Sequence, residues 1–304
     1  MADAVAGEAV VRAVHRLPRR ARAVHVRDAG DRDVERVTDE QLVRTLLREQ
    51  HPDLAGLPIR FAAKGWDNEL WRLGDALAVR IPCTERGPEL LRKEHRWVPS
   101  LAEVLPLPVP TPLRLGEPSE RFGQPWTVTT WVDGEPADRV PVTRGDDSAD
   151  VLAGFLRALH QLAPADAPDS SDRGVALERL ADATDEGIGT LVPPALVPAA
   201  RAVWADGVAA PPWTGPPTWL HGDLHPANVT VADGTLAGVL DFGELCAGDP
   251  ATDLAAAWTL LPAGAAARFF RAYGEVDDAT VRRARGWTVR TSLGLIIVGR
   301  SRAA

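Results

Sequence analysis

The chain has 304 residues, 45% of them apolar and 25% charged, and a formal net charge of −8. That length buries enough surface for two lobes. No apolar run reaches the roughly 18 residues of a spanning helix, so no membrane partner is expected, and the two cysteines, Cys83 and Cys246, lie too far apart in sequence to suggest a disulfide framework.

A reducing cytoplasm is the expected setting. Arg12, Arg16, Arg19, Arg20 and Arg22 make the start basic, without the apolar stretch of a secretory signal. Charge is uneven: residues 1–131 carry 20 Lys and Arg against 19 Asp and Glu, and residues 132–304 carry 14 against 23. A nucleic acid needs a basic footprint, so none is expected as a partner. The acidic second half suits either a cationic small molecule or a plain solvated surface.

Residues 1–36 hold no sustained period and read as a poorly ordered extension. Thr38-Asp39-Glu40-Gln41 resembles a capping box opening a helix, and Leu42, Val43, Leu46 and Leu47 carry its stripe to about Gln50. Three strand-like runs follow, Leu57 to Ala63, Leu70 to Leu73 and Ala76 to Ile81, with Gly65 and Gly74-Asp75 in the turns. Arg80 alternates with Val79 and Ile81, so it is either an exposed strand arginine or a cation over phosphates.

Pro88 opens the next helix. Glu94 falls on its apolar stripe among Leu90, Leu91, Trp97 and Val98, where a carboxylate needs a partner, and Arg80 is the candidate. The Pro-rich residues 104–118 are expected to run extended. Gln124 to Val132 is a strand, broken by Asp133-Gly134-Glu135-Pro136, and this break marks an expected lobe boundary. Trp131 and Val132 would then form a connector against which a flat base could lie.

Beyond it, Asp150 to Leu162 reads as a helix with His160 at its end, and Ala176 to Ala181 and Ala195 to Ala209 as further helices. Trp219-Leu220, Val229 to Val231 and Gly238 to Leu240 are short strand material, with Asp233-Gly234 as a hairpin turn. Ala251 to Leu261, Ala263 to Tyr273 and Asp278 to Val298 read as helices.

The loops among those short strands hold Asp223, Asn228 and Asp241. Two carboxylates and an amide oxygen suit Mg²⁺-assisted phosphoryl transfer, because a carboxylate can orient a hydroxyl and hard oxygens hold the metal. His221-x-Asp223-x-His225 leaves open a Zn²⁺ site of hydrolytic type, and turn capping by the aspartates is the bland alternative.

His221, Asp223, Leu224 and Asn228, followed by Asp241-Phe242-Gly243, fall in the register of the protein-kinase signatures, with Gly222 in place of arginine. With Gly248-Asp249-Pro250-Ala251-Thr252-Asp253-Leu254-Ala255 and the upstream runs GWDNELWRLGDALAVRIP, LLRKEHRWVPSLA, LPLPVPTP and WTVTTWVDGE, the chain resembles the aminoglycoside phosphotransferase family, and its actinobacterial members in particular, over about Val37 to Trp287.

The resemblance implies an α+β, two-lobe, protein-kinase-like fold. Residues 37–132 would be a nucleotide-binding N-lobe, mainly antiparallel sheet plus one helix, and residues 133–304 a mainly helical C-lobe. The ending RTSLGLIIVGRSRAA departs from the family's pattern and reads as a shortened C-lobe. The implied reaction moves the γ-phosphoryl group of ATP or GTP, with Mg²⁺, to a hydroxyl of a small molecule, first an aminoglycoside-like antibiotic. Asp223 matches the catalytic aspartate, Asn228 and Asp241 the metal ligands, Arg80 and Glu94 the phosphate-binding cation and its carboxylate, and Trp131 and Val132 the hinge. His221 and Asp253 match supports of the catalytic loop. Glu244 and Asp249 could face a cationic substrate or be structural. A catalytically silent nucleotide- or ligand-binding relative is the alternative, since the family more often has lysine where Arg80 stands.

Overall fold

The computed structural model describes residues 38–301. The extension expected over residues 1–36 lies outside them. The described chain forms two compact units, residues 38–133 with Gly238–Gly243, and residues 134–237 with residues 244–301.

The first unit is a five-stranded sheet with a helix at its start and another between its third and fourth strands. Helix α1 (Glu40–Gln50) is followed by β1 (Ile59–Lys64), β2 (Asn68–Leu73), β3 (Leu77–Pro82), helix α2 (Gly87–Ala102), β4 (Pro112–Gly116) and β5 (Trp126–Thr130). The order is β1-β2-β3-β5-β4, every pair antiparallel. Strand β2 shows the half-buried alternation that period-two patterning demands, with Glu69, Trp71 and Leu73 inward. Val43, Leu46 and Leu47 of α1 pack with Phe61, Trp71, Val79, Trp126 and Val128 into one core. Each such large side chain contributes roughly 1.5–3 kcal/mol by leaving water.

One detail of this unit differs from the sequence reading. The cap of α1 is Asp39, whose side chain accepts from Leu42 N at 2.7 Å. Thr38 instead turns inward and gives both its amide and its hydroxyl to the buried Glu69 carboxylate, at 3.1 and 2.6 Å. A buried carboxylate outcompetes a solvent-facing cap for those donors. The Pro-rich stretch forms no helix, as expected, and part of it is strand β4. It lies at the sheet edge, where proline's missing N–H is tolerated.

The second unit is mainly helical. Its long helices are α3 (Gly145–Leu159), α4 (Ala181–Leu191), α5 (Val197–Val208), α8 (Ala266–Tyr273) and α9 (Asp278–Ser301). Helix α3 begins five residues before the expected Asp150, with Ser148 and Ala149 already buried. Strand β7 (Thr218–Leu220) pairs antiparallel with β10 (Cys246–Gly248). A small sheet takes the order β6-β8-β9 from Glu135–Pro136, Val229–Ala232 and Thr235–Val239. Its hairpin turns at Asp233 and Gly234, both at positive φ (49° and 76°), as a two-residue type I′ turn requires.

The helix expected over Ala251 to Leu261 is two single turns, α6 (Ala251–Leu254) and α7 (Ala256–Thr259). The break falls at Ala255. Its carbonyl takes the Thr288 hydroxyl at 3.4 Å as well as the amides of Trp258 and Thr259, and a side chain entering the hydrogen-bond ladder is a recognised cause of a bend. Among the described residues no helix is long and apolar enough to cross a membrane.

Candidate active site

Strand β7 ends at Leu220, and the chain turns at once through His221 to Asn228. Gly222 sits at φ 79°, and a Cβ there would meet the Glu244 carbonyl oxygen at 2.6 Å. No arginine fits that position, which accounts for the glycine where kinases carry one. Asp253, buried beneath the loop, accepts the amide hydrogens of His221 (2.7 Å) and Gly222 (2.9 Å), one on each oxygen. His221 Nδ1 in turn accepts from Asp223 N at 3.2 Å.

This turn presents the Asp223 side chain with its two oxygens in different states. Oδ2 lies 3.3 Å from His225 Nε2 and 3.2 Å from Asn228 Nδ2. His225 Nδ1 accepts from Ala227 N, so Nε2 carries the hydrogen and donates to Oδ2. Oδ1 has Arg173 Nη2 at 3.9 Å, beyond hydrogen-bond length. Burial pushes the Asp223 carboxyl up, but His225, Arg173 and His221 outweigh it and hold it well below the ordinary carboxylate range. It is therefore an ionised acceptor with one oxygen open. Asn228 spends its amide nitrogen on Asp223, through both the carbonyl (3.0 Å) and the carboxylate, which leaves its amide oxygen without a hydrogen bond among the described residues.

Asp253 is itself braced. His160 Nε2 stands 3.4 Å from Asp253 Oδ2, and His160 Nδ1 stands 2.8 Å from the Tyr273 hydroxyl. Burial raises the Asp253 carboxyl, but the His160 bond, His221 and the Gly222 amide prevail and hold it below its usual value. With Asp253 ionised, His160 Nε2 carries the hydrogen and Nδ1 accepts from tyrosine. Burial, with Asp253 adding, pushes the Tyr273 phenol up to about 12, so it remains a donor.

In the sheet unit, Arg80 is 8% exposed, far from a solvent-facing strand arginine, and its guanidinium pairs with the Glu94 carboxylate. Burial pushes the Glu94 carboxyl up to about 7, with Arg80 opposing and Asp241 adding to the rise. Burial works against the Arg80 charge, and Glu94 and Asp241 overcome it, so Arg80 stays cationic. Asp241 Oδ1 lies 3.8 Å from Arg80 Nη2 and accepts from Gly243 N at 3.3 Å. Asp241 holds a left-handed backbone, φ 58°, which aspartate tolerates better than most residues, and its side chain is half exposed. Glu94 Oε1 is buried without a hydrogen-bond partner among the described residues.

Trp131 gives its amide hydrogen to Ala76 O, and its ring carries the Arg72 guanidinium 4.0 Å from the centroid. Val132 is buried beside it in sequence. Glu244 is half-buried. Asp249 faces no substrate: it is 4% exposed, paired with Arg283 at 2.7 Å, and accepts from Ala251 N at 3.0 Å. A carboxylate so enclosed is bound to its ion pair, which corrects the reading that it could meet a cation from outside.

Residues 58–287 match the model of the phosphotransferase enzyme family. The chain belongs to that family. An aminoglycoside 3'-phosphotransferase of Escherichia coli is 29% identical over 170 residues, 52% of this chain and 61% of that protein. One of Salmonella typhimurium is 29% identical over 175 residues. The chain thus spans about three fifths of the length of the curated relatives it matches. The GDP complex of aminoglycoside 2'-phosphotransferase IIIa superposes with a TM-score of 0.68 at 21% identity, over 87% of this chain and 93% of that one. A macrolide 2'-phosphotransferase of Brachybacterium faecium does so at 0.58 and 21%, over 86% and 93%. At such identities the likeness speaks for the two-lobe kinase-like fold.

In this phosphotransferase-family chain, sequence reasoning passed over four residues beside the expected ones. His225 was weighed only as a zinc ligand. His160 does close its helix as expected, but its contact with Asp253 was passed over, although Leu152, Leu156 and His160 share a spacing of four and so one buried face. Arg72 and Arg173 carried no periodic signal.

Proposed function

We propose that the chain transfers the γ-phosphoryl group of ATP or GTP to a hydroxyl of a small molecule. The observation that carries this reading is Asp223, an ionised carboxylate with Oδ2 held by His225 and Asn228 and Oδ1 free to accept from a hydroxyl. Accepting that hydrogen bond aims the hydroxyl oxygen and takes up its proton as the oxygen engages phosphorus. In the sheet unit, the buried Arg80 offers a cation for nucleotide phosphates, fixed by Glu94. Trp131 and Val132 are the backbone on which the base is proposed to lie.

Mg²⁺ suits the oxygen donors on offer: the amide oxygen of Asn228, which has no other hydrogen bond among the described residues, and the half-exposed carboxylate of Asp241. When bound it supplies positive charge to the nucleotide phosphates. The acceptor is proposed to be an aminoglycoside-like or macrolide-like antibiotic, after the curated relatives and a structural neighbour solved with GDP and kanamycin (TM-score 0.60, 21% identity). Cytoplasm, where ATP and GTP are plentiful, is the proposed location.

A screen of nucleoside diphosphate release with Mg²⁺-ATP and Mg²⁺-GTP, across kanamycin, gentamicin, streptomycin and a macrolide, tests the reading. Release that rises with an acceptor and vanishes in Asp223→Ala supports it. Nucleotide binding without turnover on any hydroxylated acceptor would favour the silent relative.

A further inference from the structure

The segment before Ala176 has no regular structure, yet it is anchored at several points to the strand and turn that follow the catalytic loop. Ala247 N donates to Pro168 O (2.8 Å), and Asp249 N donates to Gly174 O (3.0 Å). Gly174 N donates to the Thr252 hydroxyl (3.2 Å), and the Ser170 hydroxyl oxygen accepts from the amides of Asp172 and Arg173 (3.3 and 3.2 Å). Gly174 lies at φ 67°, and a Cβ on Gly248 would come within 2.6 Å of Gly174 Cα. Two backbones touch there, and neither position has room for a side chain.

What this anchored segment presents is Arg173. Its Nη1 is held by the Asp172 carboxylate (2.6 Å) and carbonyl (3.2 Å). Its Nη2 points at Asp223 Oδ1, 3.9 Å away. That gap is too long for a hydrogen bond, and one oxygen set about 2 Å to the side of the line joining them would stand about 2.8 Å from both. Oδ1 is also the oxygen that His225 and Asn228 leave unbonded.

We propose that Arg173 is a catalytic residue that binds the reacting hydroxyl oxygen alongside Asp223 and stabilises the negative charge it gains. The proposal rests on the phosphotransferase reading above. The hydroxyl donates its hydrogen to Asp223 Oδ1 and accepts from Arg173 Nη2. As its oxygen bonds to the γ-phosphorus, the bond from that phosphorus to the β,γ-bridging oxygen breaks. The bridging oxygen keeps the electron pair and leaves with the nucleoside diphosphate, and the hydroxyl proton passes to Asp223. A fixed guanidinium aimed at the developing charge is worth more during transfer than before it, so it acts on turnover more than on nucleotide binding.

Water occupies the same position as an acceptor hydroxyl, so the test needs no identified acceptor. Diphosphate release from Mg²⁺-ATP alone is measured in wild type, Asp223→Asn, Arg173→Ala, Arg173→Lys and Asp172→Asn. Asp223→Asn is expected to abolish it. Arg173→Ala should lower kcat about 100-fold, the scale of losing one charge-stabilising donor, with KM for ATP within about twofold. Arg173→Lys should recover part of the loss.

Asp172 lies outside the reacting groups, and Asp172→Asn, which only loosens the guanidinium, should lower kcat several-fold even if Arg173→Ala does not fold. Wild-type kcat in Arg173→Ala or in Asp172→Asn overturns the proposal, as does a loss confined to KM. Wild-type hydrolysis in Asp223→Asn, or no release in wild type from either Mg²⁺-ATP or Mg²⁺-GTP with and without the acceptors of the screen, defeats the phosphotransferase reading itself, and this inference with it.

Discussion

The Tyr273 hydroxyl sits 2.8 Å from His160 Nδ1, at the outer end of a line of contacts that runs through Asp253 to the backbone of His221 and Gly222. Tyr273→Phe removes the donor and leaves a buried imidazole nitrogen unpaired. The expected cost is about 1–3 kcal/mol, read as a shift of the urea unfolding midpoint. An unchanged midpoint would show that the hydroxyl contributes nothing. His160→Ala should cost more, because it strips a hydrogen bond from a buried carboxylate.

Asp253 also contributes to the acid behaviour of the helical unit. Its folded-state pKa lies below the unfolded value, so between the two the unfolded chain binds more protons and stability rises with pH. Its contribution is fully present above the ordinary carboxylate range and is lost as pH falls through the depressed value. Asp253→Asn should flatten that acid limb of stability, measured by thermal unfolding across pH. A limb as steep as wild type would assign the effect elsewhere.

Asp223 is held ionised far into acid by its neighbours, burial notwithstanding. The acid limb of a turnover profile should therefore lie below the usual aspartate titration. His225→Ala removes the Oδ2 donor and should shift that limb upward in pH. Asp223→Ala should lower turnover to background while the thermal shift produced by Mg²⁺-ATP persists. Loss of both together would mean that the variant damages more than the acceptor side.

Arg80 and Glu94 form a pair in which both side chains are almost wholly buried. Breaking it by Arg80→Ala leaves a buried carboxylate alone, at a cost of about 3–5 kcal/mol to the sheet unit. Replacing both by apolar residues, Arg80→Met with Glu94→Leu, should restore most of the stability while abolishing nucleotide binding. Arg80→Lys keeps a charge but loses the fork, so an intermediate loss is expected, measured by chemical denaturation and nucleotide titration.

The imidazoles of the HGDLH stretch are engaged by backbone: His221 Nδ1 accepts from Asp223 N, and His225 Nδ1 from Ala227 N. Among the described residues no group of three His, Cys, Asp or Glu side chains stands ready for a metal. A zinc chelator should accordingly leave the melting temperature and the turnover with Mg²⁺-ATP unchanged. Inactivation reversed by added Zn²⁺ would revive the hydrolase reading.

Much of the scaffold could be read from local chemistry. The Asp233-Gly234 turn declared itself by residue type, the alternation in Asn68–Leu73 by period, and the pairing of Arg80 with Glu94 by the cost of a carboxylate on an apolar stripe. Local rules also misled, and always where a distant partner outbid a near one. Thr38 looks like a helix cap until Glu69, 31 residues on, claims its donors. Asp249 looks available until Arg283 encloses it. His160 is the helix end it looks like, but nothing near it in the chain announces Asp253, 93 residues away, beside it.

By itself, then, the sequence determined which loops carry the carboxylates and amides, because motif spacing and turn chemistry act within a few residues. Only the tertiary structure decided which oxygen of Asp223 is tied and which is open, and that Arg173 faces the open one. Those choices rest on packing between segments remote in the chain, where burial makes every unmet donor or charge costly enough to select its partner.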